Sequence, residues 1–122
     1  MARFYRSILA ALVALPLLAL APGLGAHAVA PPARAHTSAP VVRVTIQNFA
    51  FGPKTLTVAP GTRVVWTNRD PAAHSVSSDT GLFTSDTLDT GKSFSYTFAK
   101  TGTYAYHCGL HPYMLATVVV KR

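Results

Sequence analysis

From residue 41 to the C-terminus, apolar and polar side chains alternate with a period of two, interrupted at short intervals by turn residues. Residues 41–47, VVRVTIQ, put Val42, Val44 and Ile46 on one face, the period of a half-buried strand. Gly52-Pro53 breaks the chain before KTLTV (54–58), and Pro60-Gly61 marks a turn before TRVVWTN (62–68), which carries the single tryptophan, Trp66. RDPAA (69–73) reads as a loop and HSVSS (74–78) as extended chain. Residues 79–93, dense in Asp, Thr, Ser and Gly, read as a long loop with room for one short strand. SFSYTF (93–98) alternates cleanly, with Phe94, Tyr96 and Phe98 on one face. A turn at Lys100-Thr101-Gly102 leads to TYAYHC (103–108), which alternates again, and ATVVVKR (116–122) ends the chain. No stretch after residue 40 has helical periodicity. Short strands at this spacing predict an all-β domain, an antiparallel sandwich or small barrel. Trp66, Phe94, Tyr96, Phe98, Tyr104 and Tyr106 are expected in its core.

The first forty residues follow another pattern. Arg3 and Arg6 precede an unbroken apolar run, ILAALVALPLLALA (8–21). A membrane span needs about 20 apolar residues; this run is shorter and holds Pro16. It fits a secretory signal peptide over 1–28, helical in its apolar part, with cleavage somewhere in 26–35, where small-x-small sites end at Ala28, Ala30 and Ala35. The rival reading is an uncleaved anchor. VAPPARAHTSAP (29–40) reads as a Pro/Ala-rich linker. The expected location is periplasmic or secreted, with no stable membrane insertion after signal cleavage.

Charge narrows the function classes only slightly. The formal net charge is +7, but part of it lies in the leader. From His36 onward Lys and Arg outnumber Asp two to one, are scattered, and form no run. Nothing here points to nucleic acid. The mild basic bias suits steering of an acidic partner.

Chemistry concentrates in YHCGLHPYM (106–114), where the only cysteine of the chain, Cys108, stands with His107, His111 and Met114. A lone thiol in an oxidising compartment is a liability unless buried or occupied. Strand parity puts Cys108 on the inward face with Tyr104 and Tyr106, and His107 on the other. Gly109 and Pro112 force a turn, Pro112 keeping His111 extended, so that one tight loop offers thiolate, imidazole and thioether to a common point. Thiolate and thioether are soft ligands and imidazole suits copper and zinc; zinc sites favour four Cys or His ligands. Two His and one Cys with a long axial Met is the blue-copper arrangement. It needs a second histidine, and His74 is the candidate besides His107. Taken singly, each residue has a plainer reading: a buried hydrophobic Cys108, surface histidines, and Met114 as core filler.

VVWTNRDPAAHSV (64–76) and GTYAYHCGLHPYM (102–114), with NFAFGPKTLTVAPGT (48–62), resemble the cupredoxin family in its plastocyanin–pseudoazurin–amicyanin branch. The Cys-x-x-His-x-x-Met spacing is similar to the short amicyanin-like ligand loop. The resemblance covers nearly everything from residue 41 onward. It implies a cupredoxin-like Greek-key β-sandwich of about seven to eight strands over 41–122, behind the signal peptide helix. It also implies one type 1 copper ion held by His74, Cys108, His111 and Met114. Asn68 matches an Asn that ties the ligand loops together, and the backbone N–H of Ser75 would donate to the Cys108 sulfur. The family often has Asn where Ser75 stands and Gly where Ala116 stands. The implied function is a small soluble carrier of single electrons between transient redox protein partners, monomeric and not an enzyme. There is no His-Cys-His triplet, no His-x-His pair and no Glu, which speaks against oxidase chemistry. The alternatives are a copper delivery or storage protein using the same ligands, and a metal-free binding module.

Overall fold

Alternating strands can bury their apolar faces only by pairing and then stacking, and this chain does both. The computed structural model describes residues 13–19, 22–23, 25–33 and 37–122. The chain divides into two units, Met1–Arg34 and Ala35–Arg122. The described residues of the first have no regular secondary structure. The signal peptide helix expected in the apolar run 8–21 falls half outside the described residues, and its described part, 13–19, is not helical. Among the described residues no helix is long and apolar enough to cross a membrane.

The second unit contains β1 (Val41–Gln47), β2 (Ala50–Gly52), β3 (Thr55–Val58), β4 (Thr62–Asn68), β5 (Ser77–Ser78), β6 (Ser93–Phe98), β7 (Gly102–His107) and β8 (Leu115–Val120). They form two four-stranded sheets, ordered β2-β1-β4-β6 and β3-β8-β7-β5. The all-β expectation holds, but the purely antiparallel one is corrected. β1 lies parallel to β4, with Val44 beside Trp66, and β3 lies parallel to β8, with Leu56 beside Val118. The reason is topological. Between β1 and β4 the chain passes through β3 in the other sheet, and such a crossover leaves no trace in local alternation. β2, directly before the Gly52-Pro53 break, has no counterpart among the expected strands; it pairs with β1 across a two-residue turn, Gln47 opposite Ala50. The loop over 79–93 is anchored by bridges from Ser77 to Thr84 and from His74 to Leu88, and it buries Phe83 and Leu88.

The core is aromatic. Trp66, Tyr106, Phe98 and Ile46 are fully buried, with Tyr106 edge-on to Trp66 at 5.5 Å. Phe94, Tyr96 and Tyr104 pack against this cluster while remaining partly exposed. The Tyr106 hydroxyl and the Trp66 indole N–H are buried without a hydrogen-bond partner among the described residues. Burial pushes the Tyr106 hydroxyl up to about 12, opposed by the nearby Trp66 indole N–H, which pulls the other way but stands outside hydrogen-bonding geometry. An unpaired buried polar group costs about 1–3 kcal/mol, so Tyr106→Phe should stabilise the domain by about 1 kcal/mol in urea unfolding at pH 7. The gain should widen above pH 10. There the unfolded phenol releases its proton while the folded one keeps it, so wild-type stability falls as pH rises towards 12. A Phe variant weaker than wild type at both pH 7 and about pH 10.5 would contradict this.

Candidate metal centre

Three segments converge at one end of the sandwich. β7 carries the inward parity through Tyr106 to Cys108, whose side chain is 0% exposed. The β7–β8 connection then closes on itself: the Cys108 amide donates to the Met114 carbonyl (3.1 Å), and the Met114 amide to the His111 carbonyl (2.9 Å). This brackets His111 at the tip and brings Met114, buried, back beside the core. From the other sheet, β4 ends at Asn68. Its side-chain amide donates to the carbonyls of Ala72 and Leu88, both at 2.8 Å, and its carbonyl oxygen accepts from the Asp70 amide. The loop so fastened delivers His74, also 0% exposed, into a two-way backbone bridge with Leu88.

The result is a cluster of His74, Cys108 and His111 whose donor atoms all lie within 4.8 Å of one another. Cys108 Sγ stands 3.7 Å from Nδ1 of each histidine, and the two imidazole centres are 5.0 Å apart. A first-row ion bonded at about 2.3 Å to sulfur and about 2.0 Å to each nitrogen, in trigonal directions, would separate S from N by roughly 3.7 Å. The donors therefore fit one shared ion, and their softness suits copper. His107, the rival second histidine, points away and bonds Asp79 through Nδ1 at 2.7 Å.

Around these donors lies a second layer that fixes their orientation. His74 Nε2 donates to Asp70 Oδ2 at 2.8 Å in a buried pair. That bond commits the proton to Nε2 and leaves the Nδ1 lone pair facing Cys108, as in carboxylate–histidine–metal triads. Asp70 also accepts from the amides of Asn48 (2.6 Å) and Phe49 (2.9 Å). The Phe49 amide does most to hold its carboxyl below the usual carboxylate range; burial opposes it, and the Asn48 amide and His74 reinforce it. The Ser75 amide donates to Cys108 Sγ at 3.3 Å, as the resemblance implied. The tie between the two ligand loops, however, is made by Ser75 and not by Asn68: the Gly109 amide donates to Ser75 Oγ at 2.8 Å. Asn68 secures only the His74 side. Ala116 is buried in β8 and pairs with Tyr106 in the ladder that leads back to β7.

Two residues of this layer escape a reading of the sequence alone. Asp70 carries one available signal, an acid four positions before a candidate ligand histidine; Phe49 carries no local signal. Gly109 has a steric reason. A Cβ there would stand 2.9 Å from Ser75 Oγ. Gly109→Ala is expected to cost about 1–3 kcal/mol by overpacking. Most of that cost should vanish in a Ser75→Ala background, a coupling that a double-mutant urea cycle reads directly.

Comparison with known proteins matches residues 10–120 to the model of a cupredoxin-like domain. The chain is 34% identical over 83 residues to amicyanin of Paracoccus denitrificans, covering 64% of this chain and 63% of that protein. It is 27% identical over 85 residues to amicyanin of Paracoccus versutus, covering 66% and 64%. The chain thus spans less than two thirds of the length of these relatives. Among solved structures it is similar to a purple cupredoxin from Nitrosopumilus maritimus, with TM-score 0.62, 32% identity, and coverage of 66% of this chain and 99% of that one. It is also similar to an amicyanin variant in its reduced Cu(I) form, with TM-score 0.64, 30% identity, and coverage of 71% and 88%.

Proposed function

This chain belongs to the cupredoxin family, and from that premise we propose that it carries single electrons between redox partners outside the cytoplasm. One type 1 copper ion would be held by His74, Cys108, His111 and Met114. The observation that carries the reading is the convergence of one buried thiol and two imidazoles, their donor atoms within 4.8 Å of one another and each Nδ1 3.7 Å from the sulfur. Copper, when bound, supplies a one-electron Cu(II)/Cu(I) couple. The protein supplies the rest. Asp70 and Ser75 hold the His74 ring and the Cys108 sulfur in place whether or not charge changes, so little rearrangement accompanies electron transfer. The Ser75 N–H draws density from the sulfur and so tunes its donor strength. Burial of Cys108 keeps oxidants from the thiol.

His111 is the half-buried member of the cluster and gives the electron its exit. Exposed Phe49, Leu110 and Tyr113 rim it with apolar surface, suited to brief contact with a partner. We place the signal peptide at 1–28, the linker at 29–40 and the copper domain at 41–122. The mature chain is read as a periplasmic or secreted monomer, a carrier with no catalytic role of its own. The apolar leader and the strand pattern support this division.

Loading the protein with Cu(II) should give an intense visible thiolate-to-copper band and a reversible one-electron wave in voltammetry. A colourless protein that retains only Cu(I) would replace the carrier reading with copper delivery or storage. Met114→Gln should retain copper and lower the potential, because an oxygen donor favours Cu(II). An unchanged potential would remove Met114 from the ligand set.

A further inference from the structure

The two histidines of the cluster are not held alike. His74 is buried and locked at Nε2 by Asp70. His111 is only half-buried, and among the described residues its Nε2 has no hydrogen-bond partner. Beyond the contact of its Nδ1 with Cys108 Sγ at 3.7 Å, its orientation rests on ring packing: His74 at 5.0 Å, Tyr113 at 6.0 Å, and Phe49 edge-on at 5.0 Å. The same Phe49 ring meets His74 edge-on at 5.1 Å, so one side chain spans both imidazoles. It does so from the tip of the β1–β2 hairpin while 44% exposed, which is not how a residue is placed to build a core.

The backbone at this tip is unusual. Asn48 and Phe49 both have positive φ, 53° and 54°. A two-residue hairpin turn of that kind favours Asn at its first centre and Gly at its second. Asn48 conforms. Phe49 occupies the glycine position, where a bulky side chain is a conformational outlier. Local folding gives no reason for that choice, and strain of this sort is kept where the surroundings over-determine it. Here they do. The amides of Asn48 and Phe49 both donate to the buried Asp70, the carboxylate that also fixes His74. One acid therefore holds both the inner histidine and the turn that presents the ring to the outer one.

We propose that Phe49 is a positioning residue for the metal centre: its ring, set by Asp70, restrains the His111 imidazole and so governs how easily the ligand loop releases its ion. The inference rests on the copper reading above, but its first test does not. In the metal-free protein, NMR signals of the His111 ring should be sharp in wild type and in Phe49→Tyr. In Phe49→Gly they should be broadened by microsecond-to-millisecond exchange, while those of His74, held by Asp70, shift on losing the adjacent ring but stay sharp. Glycine suits the turn, so this variant keeps the hairpin. In copper-loaded, reduced protein, transfer of Cu(I) to excess bathocuproine disulfonate should be roughly tenfold faster for Phe49→Gly, and at the wild-type rate for Phe49→Tyr. His111 signals in Phe49→Gly as sharp as those of wild type, or Cu(I) release at the wild-type rate, would overturn the proposal. A wild-type protein that takes up no copper would instead defeat the functional reading alone, and the metal-free measurement would then decide the role of Phe49.

Discussion

Cys108→Ser is expected to abolish the visible band of the copper-loaded protein entirely while the metal-free domain still folds. The band requires a thiolate bonded to Cu(II), and the chain has one cysteine to supply it. The hydroxyl that replaces it is a hard, weakly acidic ligand, ill-matched to the soft site. The fold should survive because most of the core is supplied by other side chains. Cys108 and Met114 share one buried cluster with Val44, Ile46, Trp66, Phe98, Tyr106, Val118 and Val120, whose apolar side chains pack directly against one another. The cost is that of burying a hydroxyl at a site 0% exposed, about 1–3 kcal/mol where no full partner is found. Absorption spectroscopy and urea unfolding of the same preparation separate the two effects. Retained colour with reversible redox cycling would show that the sulfur is not the ligand; loss of the metal-free fold would show that the cluster is structural.

The second large effect is expected at Asp70. Its carboxylate accepts from three N–H groups on two separate segments, those of Asn48, Phe49 and His74. In Asp70→Asn the side-chain amide would offer one acceptor oxygen and turn an NH2 group towards a donor. This substitution should therefore lower copper affinity by about 10–100-fold, the usual effect of losing a carboxylate behind a metal-bound imidazole. It should also lower the unfolding free energy by about 2–4 kcal/mol, since hydrogen bonds to charged groups are worth about 1.5–3 kcal/mol each. Chelator competition measures the first and urea unfolding the second. A variant with wild-type affinity and stability would mean that the His74 orientation is set by the Leu88 bridge alone.

Much of this molecule is legible along the chain. Period-two alternation places β1, β4 and β6 at their observed bounds, because a strand with one buried face must alternate. Parity by itself turns Cys108 inward. The Cys-x-x-His-x-x-Met spacing marks the candidate ligand loop, because Gly109 and Pro112 permit only a tight return there. What stays hidden is long-range. The parallel pairing of β1 with β4 depends on a crossover through the other sheet. β2 is too short to show a period. Ser75, and not Asn68, joins the ligand loops, because the choice depends on which polar atom faces Gly109 across the gap. Along the chain Asp70 looks like one loop acid among four.

Local sequence determined which side chains face inward and which donors sit on one loop, because both follow from the geometry of a few consecutive residues. The family resemblance, not local pattern, implied that His74 meets Cys108 across 34 positions; only the tertiary structure decided that Asp70 binds a hairpin tip and a histidine at once, and that Phe49 stands edge-on to both imidazoles. Those contacts join segments distant in the chain, and packing, not pattern, brings them together.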